Sequence, residues 1–231
     1  MKTLVIVPAH NEAANLPGVL DDLRRFCPEA TILVINDCST DETSELLPHC
    51  DVKYLTLPVN LGIGGVVQTG YRYASAHHYD FVVQFDGDGQ HMAQYVHDLL
   101  RPLESGQADL VIGSRFLERK GYQSTGARRF GIRLLGRLIQ TLCGICVNDV
   151  TSGMRAVNEK MAVLFSTDYA QDYPEPESIL TAALHGARIM EVPVQMRERQ
   201  GGQSSITPLG SVYYMIKVTL ALIMSSIRGE K

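Results

Sequence analysis

Short runs of almost wholly apolar residues alternate along this chain with longer amphipathic stretches, and few architectures accommodate that alternation. The runs are Thr3 to Pro8, Thr31 to Asn36, Val52 to Leu57, Tyr79 to Phe85 and Ala108 to Gly113. Between them the spacing predicts helices from about Glu12 to Phe26, Asp41 to Leu47, Ile63 to His77 and Ala93 to Ser105. A strand that is apolar at nearly every position has no face for water, so it belongs in a mainly parallel sheet covered by helices on both sides. The expected fold class is α/β. In such sheets ligands sit at the carboxyl ends of the strands. Three polar clusters fall there: Pro8-Ala9-His10-Asn11-Glu12, Asn36-Asp37-Cys38-Ser39 and Asp86-Gly87-Asp88-Gly89-Gln90.

The third cluster carries the clearest chemistry. Alternate residues leaving a strand end point the same way, and the two glycines let the backbone turn tightly enough for Asp86, Asp88 and Gln90 to converge. Hard oxygen donors of this kind suit Mg2+ or Mn2+, which keep some waters and take further ligands from substrate phosphates. An Asp-Gly sequence is also ordinary turn chemistry, so the remainder of the chain has to decide between the two.

Composition limits the alternatives. The 231 residues, 45% hydrophobic and 20% charged, suffice for one large domain or one domain with an appendage. A formal net charge of −4 leaves no basic excess of the size that nucleic-acid binding demands, so no nucleic-acid partner is expected. Cys143-Gly144-Ile145-Cys146 has no second cysteine pair to complete a zinc site, so the five cysteines are expected to be reduced, mostly buried thiols of a cytoplasmic protein. Leu4-Val5-Ile6-Val7 is too short for a secretory leader and stops at Pro8, so no leader is expected.

Seven segments in chain order resemble the motifs of family 2 glycosyltransferases of the GT-A fold, in particular the dolichol- and polyprenol-phosphate sugar transferases. They are Pro8 to Glu12, Asn36 to Thr43, Asn60-Leu61-Gly62-Ile63-Gly64-Gly65 with Gly70, Asp86 to Gln90, Gly113-Ser114-Arg115-Phe116, Asp149 to Arg155, and Arg199-Gln200-Gly201-Gly202-Gln203-Ser204. Three positions depart from the pattern: Asn36 replaces an aspartate, Ile63 stands where a basic residue is common, and Ser205 stands where lysine is common. The resemblance implies a GT-A domain over residues 1–207, with 208–231 a helical appendage. It implies donor contacts through Pro8, Ala9, Asn11, Glu12, Asp37, Asn60, Gly62, Gly65, Asp86 and Gly87, and metal ligation by Asp86, Asp88 and Gln90. Asp88, Arg115, Glu177 and Arg199 are the implied catalytic residues, with Arg133 and Ser204 on the substrate side.

The implied reaction is transfer of a sugar, with inversion, from a UDP-, GDP- or dTDP-sugar to a polyprenyl phosphate such as undecaprenyl phosphate. A phosphate acceptor is already an anion, so cationic positioning matters more than a general base, and arginine forks hold phosphate oxygens in pairs. A saccharide or lipid-linked saccharide hydroxyl as acceptor is the first alternative and needs a carboxylate base, for which Glu177 is the candidate. A silent nucleotide-sugar-binding subunit is the second, and the intact Asp86, Asp88 and Gln90 argue against it. A nucleotidylyltransferase would place a glycine-rich basic loop after the first strand, and Pro8 to Glu12 is not one.

Two segments point toward a membrane. Arg128 to Leu142 interleaves arginines with apolar residues at helical spacing, as a basic amphipathic surface does. Val212 to Ile227 is more apolar but interrupted by Lys217, and shorter than the roughly 20 residues of a spanning helix. Peripheral association with the inner face of the membrane is expected, with a small membrane protein or a second copy as further partners for the tail.

Overall fold

The computed structural model describes residues 1–118, 126–197 and 208–229. Five strands form where the apolar runs lie: β1 (Thr3–Ala9), β2 (Thr31–Asn36), β3 (Lys53–Thr56), β4 (Phe81–Gln84) and β5 (Leu110–Ser114). β6 (Arg155–Asn158) and β7 (Ile189–Pro193) come from segments with no such run. Together they make, among the described residues, a seven-stranded sheet in the order β3-β2-β1-β4-β6-β5-β7. Only β6 runs against the rest, pairing antiparallel with both β4 and β5.

Alternation along the strands divides the core in two. Leu4, Ile6, Leu33, Ile35, Val82, Leu110 and Ile112 face one layer, and Val5, Val7, Val34, Val83 and Val111 face the other. The helices are α1 (Leu16–Phe26), α2 (Thr43–Leu46), α3 (Gly62–Ala76), α4 (Val96–Glu104), α5 (Gly126–Cys143), α6 (Glu159–Thr167), α7 (Pro174–Leu184) and α8 (Pro208–Gly229). The second layer is closed by α1 and α4, and α1 presents Leu16, Val19, Leu20 and Leu23 to it at helical spacing. The first is closed by α3, α5, α6, α7 and α8. Each fully buried Leu or Ile contributes on the order of 2 kcal/mol relative to exposure, which fixes the strand register against slippage.

The tail is not held apart from this body. α8 packs on α7 and α5 and places Val218 and Leu222 in the same apolar layer as Leu4 and Ile6. The thiols also differ from expectation: only Cys27 is buried, Cys146 is exposed, and the other three lie between.

The antiparallel β6 has a consequence for the rim. Its first residue, Arg155, lies opposite Gln84 near the end of β4 and opposite Ile112 of β5. The segment 149–153 that feeds β6 therefore arrives at the carboxyl ends of β4 and β5, beside Asp86 and Arg115.

Candidate active site

The turn after β4 is built for close approach. Gly87 N–H donates to the Pro8 carbonyl at 3.2 Å, and a Cβ on Gly87 would lie 2.7 Å from that oxygen. Gly89 turns the chain with φ +77°, which glycine adopts readily. Asp88 Oδ1 accepts the Gln90 N–H at 3.0 Å and closes the turn.

Asp86 is oriented from three sides. Its N–H donates to His91 Nδ1 at 3.0 Å, which leaves Nε2 to carry the imidazole proton, 3.5 Å from Asp86 Oδ2. His91 is 3% exposed and stacks edge-on against Phe85, and burial holds its pKa well below the usual histidine range. Gln84 Nε2 approaches Asp86 Oδ1 at 3.4 Å. On the third side Gly153 leaves room, since a Cβ there would meet Asp86 Oδ2 at 2.6 Å.

The first two rim loops are tied to each other and to α3. Asp37, 3% exposed, accepts the N–H groups of Leu61 and Gly62 at 2.7 and 2.9 Å, at the start of α3 where the helix dipole favours a carboxylate. His10 Nδ1 donates to the Asp37 carbonyl at 2.8 Å. Glu12 is buried, takes the Asn15 amide on Oε2 at 2.7 Å, and donates its own N–H to Thr43 Oγ1 at 3.0 Å.

Between these loops and the turn opens a cleft of about 300 Å³. Pro8, Ala9, Glu12, Asp37, Asp86, Gly87 and Asp88 line it, all of them sequence candidates. His10, Ile63 and Val66 complete the lining. A lining that combines carboxylates with aliphatic side chains suits a molecule with a polyanionic, metal-binding part and a flat or apolar part. Asp86 and Asp88 offer hard oxygens, and His91 adds no positive charge beside them while neutral. The donor set fits Mg2+ or Mn2+ completed by water and substrate phosphate.

Other candidates stand elsewhere. Gln90 is outside the cleft lining: its Nε2 donates to the Arg197 carbonyl at 3.4 Å, and its own carbonyl takes the Arg197 N–H at 2.9 Å. Asn11, with φ 58°, uses Oδ1 to hold the Thr40 and Asp41 N–H groups, so it shapes the loop after β2. Asn60 caps its own turn by accepting the Gly62 N–H, and Gly65 packs against Leu61. Arg115 differs most from its expected role as a phosphate fork. Its Nε and Nη2 each lie 2.7 Å from a different oxygen of Asp149, and both side chains are buried. The fork is filled by a carboxylate from the segment feeding β6.

Glu177 lies in the first turn of α7, half-buried, with Ser225 of α8 donating to it at 3.5 Å; burial raises its pKa. Its observed partner is therefore the α7–α8 junction. Arg133 is exposed on α5. Arg199 and Ser204 lie outside the described residues.

Asp149, Gly153, His91 and Arg155 carry weight that the sequence reading did not assign. Arg155, 1% exposed, donates to the Ser152, Glu175 and Val150 carbonyls and to Ser178 Oγ, pinning segment 149–153 to the start of α7. Asp149 and Arg155 begin and end a motif already visible in the sequence. That was the available signal.

Comparison with known proteins identifies the family and the fold. The chain is 31% identical over 217 residues to undecaprenyl-phosphate mannosyltransferase of Micrococcus luteus, covering 90% of this chain and 88% of that one. It is 29% identical over 227 residues to polyprenol monophosphomannose synthase of Mycolicibacterium smegmatis, covering 94% and 85%. The fold matches a crystal structure of glucosyl-3-phosphoglycerate synthase from Mycobacterium tuberculosis with Mn2+, UDP-glucose and phosphoglyceric acid, with a TM-score of 0.73 at 22% identity over 97% of this chain and 79% of that one. The family model for Glycosyl transferase family 2 matches residues 4–162, through β1 to β6 and every loop that lines the cleft. The chain belongs to glycosyl transferase family 2, and its central sheet is of the GT-A kind.

Proposed function

We propose that this chain transfers a sugar, with inversion, from a nucleotide-sugar donor to a polyprenyl phosphate, with Mg2+ or Mn2+ held by Asp86 and Asp88. The observation that carries the reading is a cleft lined by Asp86 and Asp88 together with Glu12 and Asp37. The names of the two bacterial relatives support the acceptor class, and the Mn2+ and UDP-glucose of the structural neighbour support the donor and metal classes. The family motif around Arg199, with Arg133, supports cationic positioning of the acceptor phosphate. A cytoplasmic placement at the inner face of the membrane follows from this reading.

The chain's own residues have definite tasks in that reaction. Asp37 fixes the start of α3, and with it the wall formed by Ile63 and Val66 on which the donor's nucleoside rests. His91, Gln84 and Gly153 hold Asp86 in one orientation, so its carboxylate is in place before the donor arrives. A bound divalent cation supplies charge neutralisation on the departing diphosphate. Arg115 and Asp149 hold the loops after β5 and before β6 in fixed relation. A phosphate nucleophile is ionised at neutral pH, so no buried base is required at the acceptor side.

The test is nucleoside diphosphate release by purified protein with Mg2+ or Mn2+, across UDP-, GDP- and dTDP-sugars, with and without short-chain polyprenyl phosphate. Release that needs both one donor and the lipid phosphate is the expected result. Donor binding without lipid-dependent release overturns it, and leaves a hydroxyl acceptor or a silent subunit.

A further inference from the structure

The turn that carries Asp86 and Asp88 contains Gly87 and Gly89, and glycine has more backbone freedom to lose than any other residue. A carboxylate on such a turn keeps one position only where the rest of the fold restrains it. One restraint lies ahead of Asp88, where the Gly87 N–H reaches the Pro8 carbonyl at 3.2 Å. A second lies behind it, at Gln90. This residue donates its N–H to Asp88 Oδ1 at 3.0 Å, accepts the Arg197 N–H on its carbonyl at 2.9 Å, and donates from Nε2 to the Arg197 carbonyl at 3.4 Å. Asp88 therefore stands between two clasps, and the second closes on a residue 107 positions away from Gln90.

Arg197 can serve as a fixed point because its own segment is anchored. The chain leaving β7 is joined to the end of β5 by the Val194 N–H, 3.0 Å from the Ser114 carbonyl, and Val194 and Met196 are buried in the layer that α1 closes. The Arg197 side chain reaches α1 itself, with Nη1 3.2 Å from Asp22 Oδ2. Asp22 is flanked in α1 by Leu20 and Leu23, both fully buried, so its carboxylate is carried by a helix that cannot shift without disturbing the core. The Asp22 side chain is 18% exposed, and water screens this pair less than it screens an open surface pair.

We propose that Arg197, paired with Asp22, is a positioning residue for the cation turn: it holds Gln90 in place, and Gln90 holds the Asp88 carboxylate, a role that rests on the reading of Asp88 as a cation ligand. Arg197 is outside the cleft lining and acts through the turn. Groups that orient a metal ligand from behind change cation affinity about 10- to 100-fold, whereas a partly exposed ion pair adds little to stability. Positioning therefore predicts a split, in which affinity falls and the fold does not.

The experiment titrates the purified full chain with Mn2+ in the presence of UDP, GDP and dTDP together, without acceptor, and reads free Mn2+ by electron paramagnetic resonance. Arg197→Gln is expected to weaken Mn2+ binding about tenfold and to move the thermal midpoint of the unliganded protein by no more than about 4 °C. Asp22→Asn leaves the guanidinium in place and is expected to weaken binding comparably. The two substitutions together are expected to weaken it no further, because the same pair is lost in each case. Asp22→Lys with Arg197→Glu rebuilds the pair in reverse and is expected to recover most of the affinity. Unchanged Mn2+ binding in Arg197→Gln overturns the proposal. So does a loss that Asp22→Asn does not share, since the guanidinium would then meet the nucleotide phosphates itself, and so does a midpoint lowered beyond that bound, which would make the pair a support of the fold. If the unaltered protein takes up no Mn2+, the cation reading of Asp86 and Asp88 falls and this role falls with it. Mn2+ uptake without lipid-dependent release removes only the acceptor assigned above.

Discussion

Asp86 owes its orientation to a residue with no side chain. Gly153→Ala puts a methyl 2.6 Å from Asp86 Oδ2, and the cheapest relief is rotation of that carboxylate away from the cleft. We expect the variant to keep its thermal midpoint within about 2 °C, because the Asp86 side chain, 33% exposed, can yield, while release falls at least about tenfold. A thermal melt and the release assay on one preparation check this, and full activity would show that the orientation of Asp86 is unimportant. Asp88→Ala removes a cleft oxygen without touching the core, so metal-dependent release is expected to vanish with the fold retained; normal turnover at controlled metal would sink the site assignment. Arg115→Ala behaves in the opposite way. It leaves the Asp149 carboxylate buried without its bidentate partner, and stability is expected to drop by about 3–5 kcal/mol in urea unfolding. Unchanged stability with lost acceptor use would return Arg115 to the phosphate-binding role its motif implies. Asp86 and Asp88 were legible in the sequence because both leave the end of one strand. The contacts of Gly153 and Asp149 were not, because they exist only once β6 has been inserted between β4 and β5.

At the scale of elements, β1 to β5 were legible because each is an apolar run with a turn after it. β6 is four residues long and opens on an arginine, and β7 alternates Ile189, Met190, Glu191, Val192 and Pro193 at a half-exposed edge, so neither shows as an apolar run. What holds them is polar. Asp109, just before β5, takes the backbone N–H and guanidinium of Arg188 just before β7, and the amide of Asn158 at the end of β6. The Arg188 guanidinium is the main reason its carboxyl is held down at about 2. A carboxylate whose folded pKa is depressed stabilises the protein above its ordinary pKa, near 4, and loses that contribution as pH falls toward the folded value. The unfolding free-energy difference between the unaltered protein and Asp109→Asn is therefore expected to be largest above about pH 5 and to shrink by up to about 2 kcal/mol toward about pH 2. Solvent screening keeps it under that bound, since the Arg188 side chain is 56% exposed. A difference that grows on acidification would contradict the clamp.

Over the whole molecule, the arrangement predicts how donor and cation depend on each other. Among the cleft residues we take Asp86 and Asp88, which leave the turn after β4, as the hard-oxygen ligands, while Asp37 is bonded to the start of α3. A divalent cation seeks about six oxygens, so it is held weakly by this chain until phosphate oxygens join, and a diphosphate faces carboxylates that repel it until a cation intervenes. Each ligand supplies what the other lacks, and such coupling is reciprocal. Mn2+ alone and a nucleoside diphosphate alone are each expected to raise the thermal midpoint by about 1 °C or less, whereas together at a hundredfold over their joint dissociation constant they contribute about 2.7 kcal/mol, or roughly 5–10 °C for a chain of this size. Asp88→Ala is expected to abolish the joint shift but not the small shift from nucleotide alone. Full stabilisation by Mn2+ without nucleotide would mean that the chain holds a complete cation cage of its own, and the division of labour between Asp86, Asp88 and the donor phosphates would have to be abandoned.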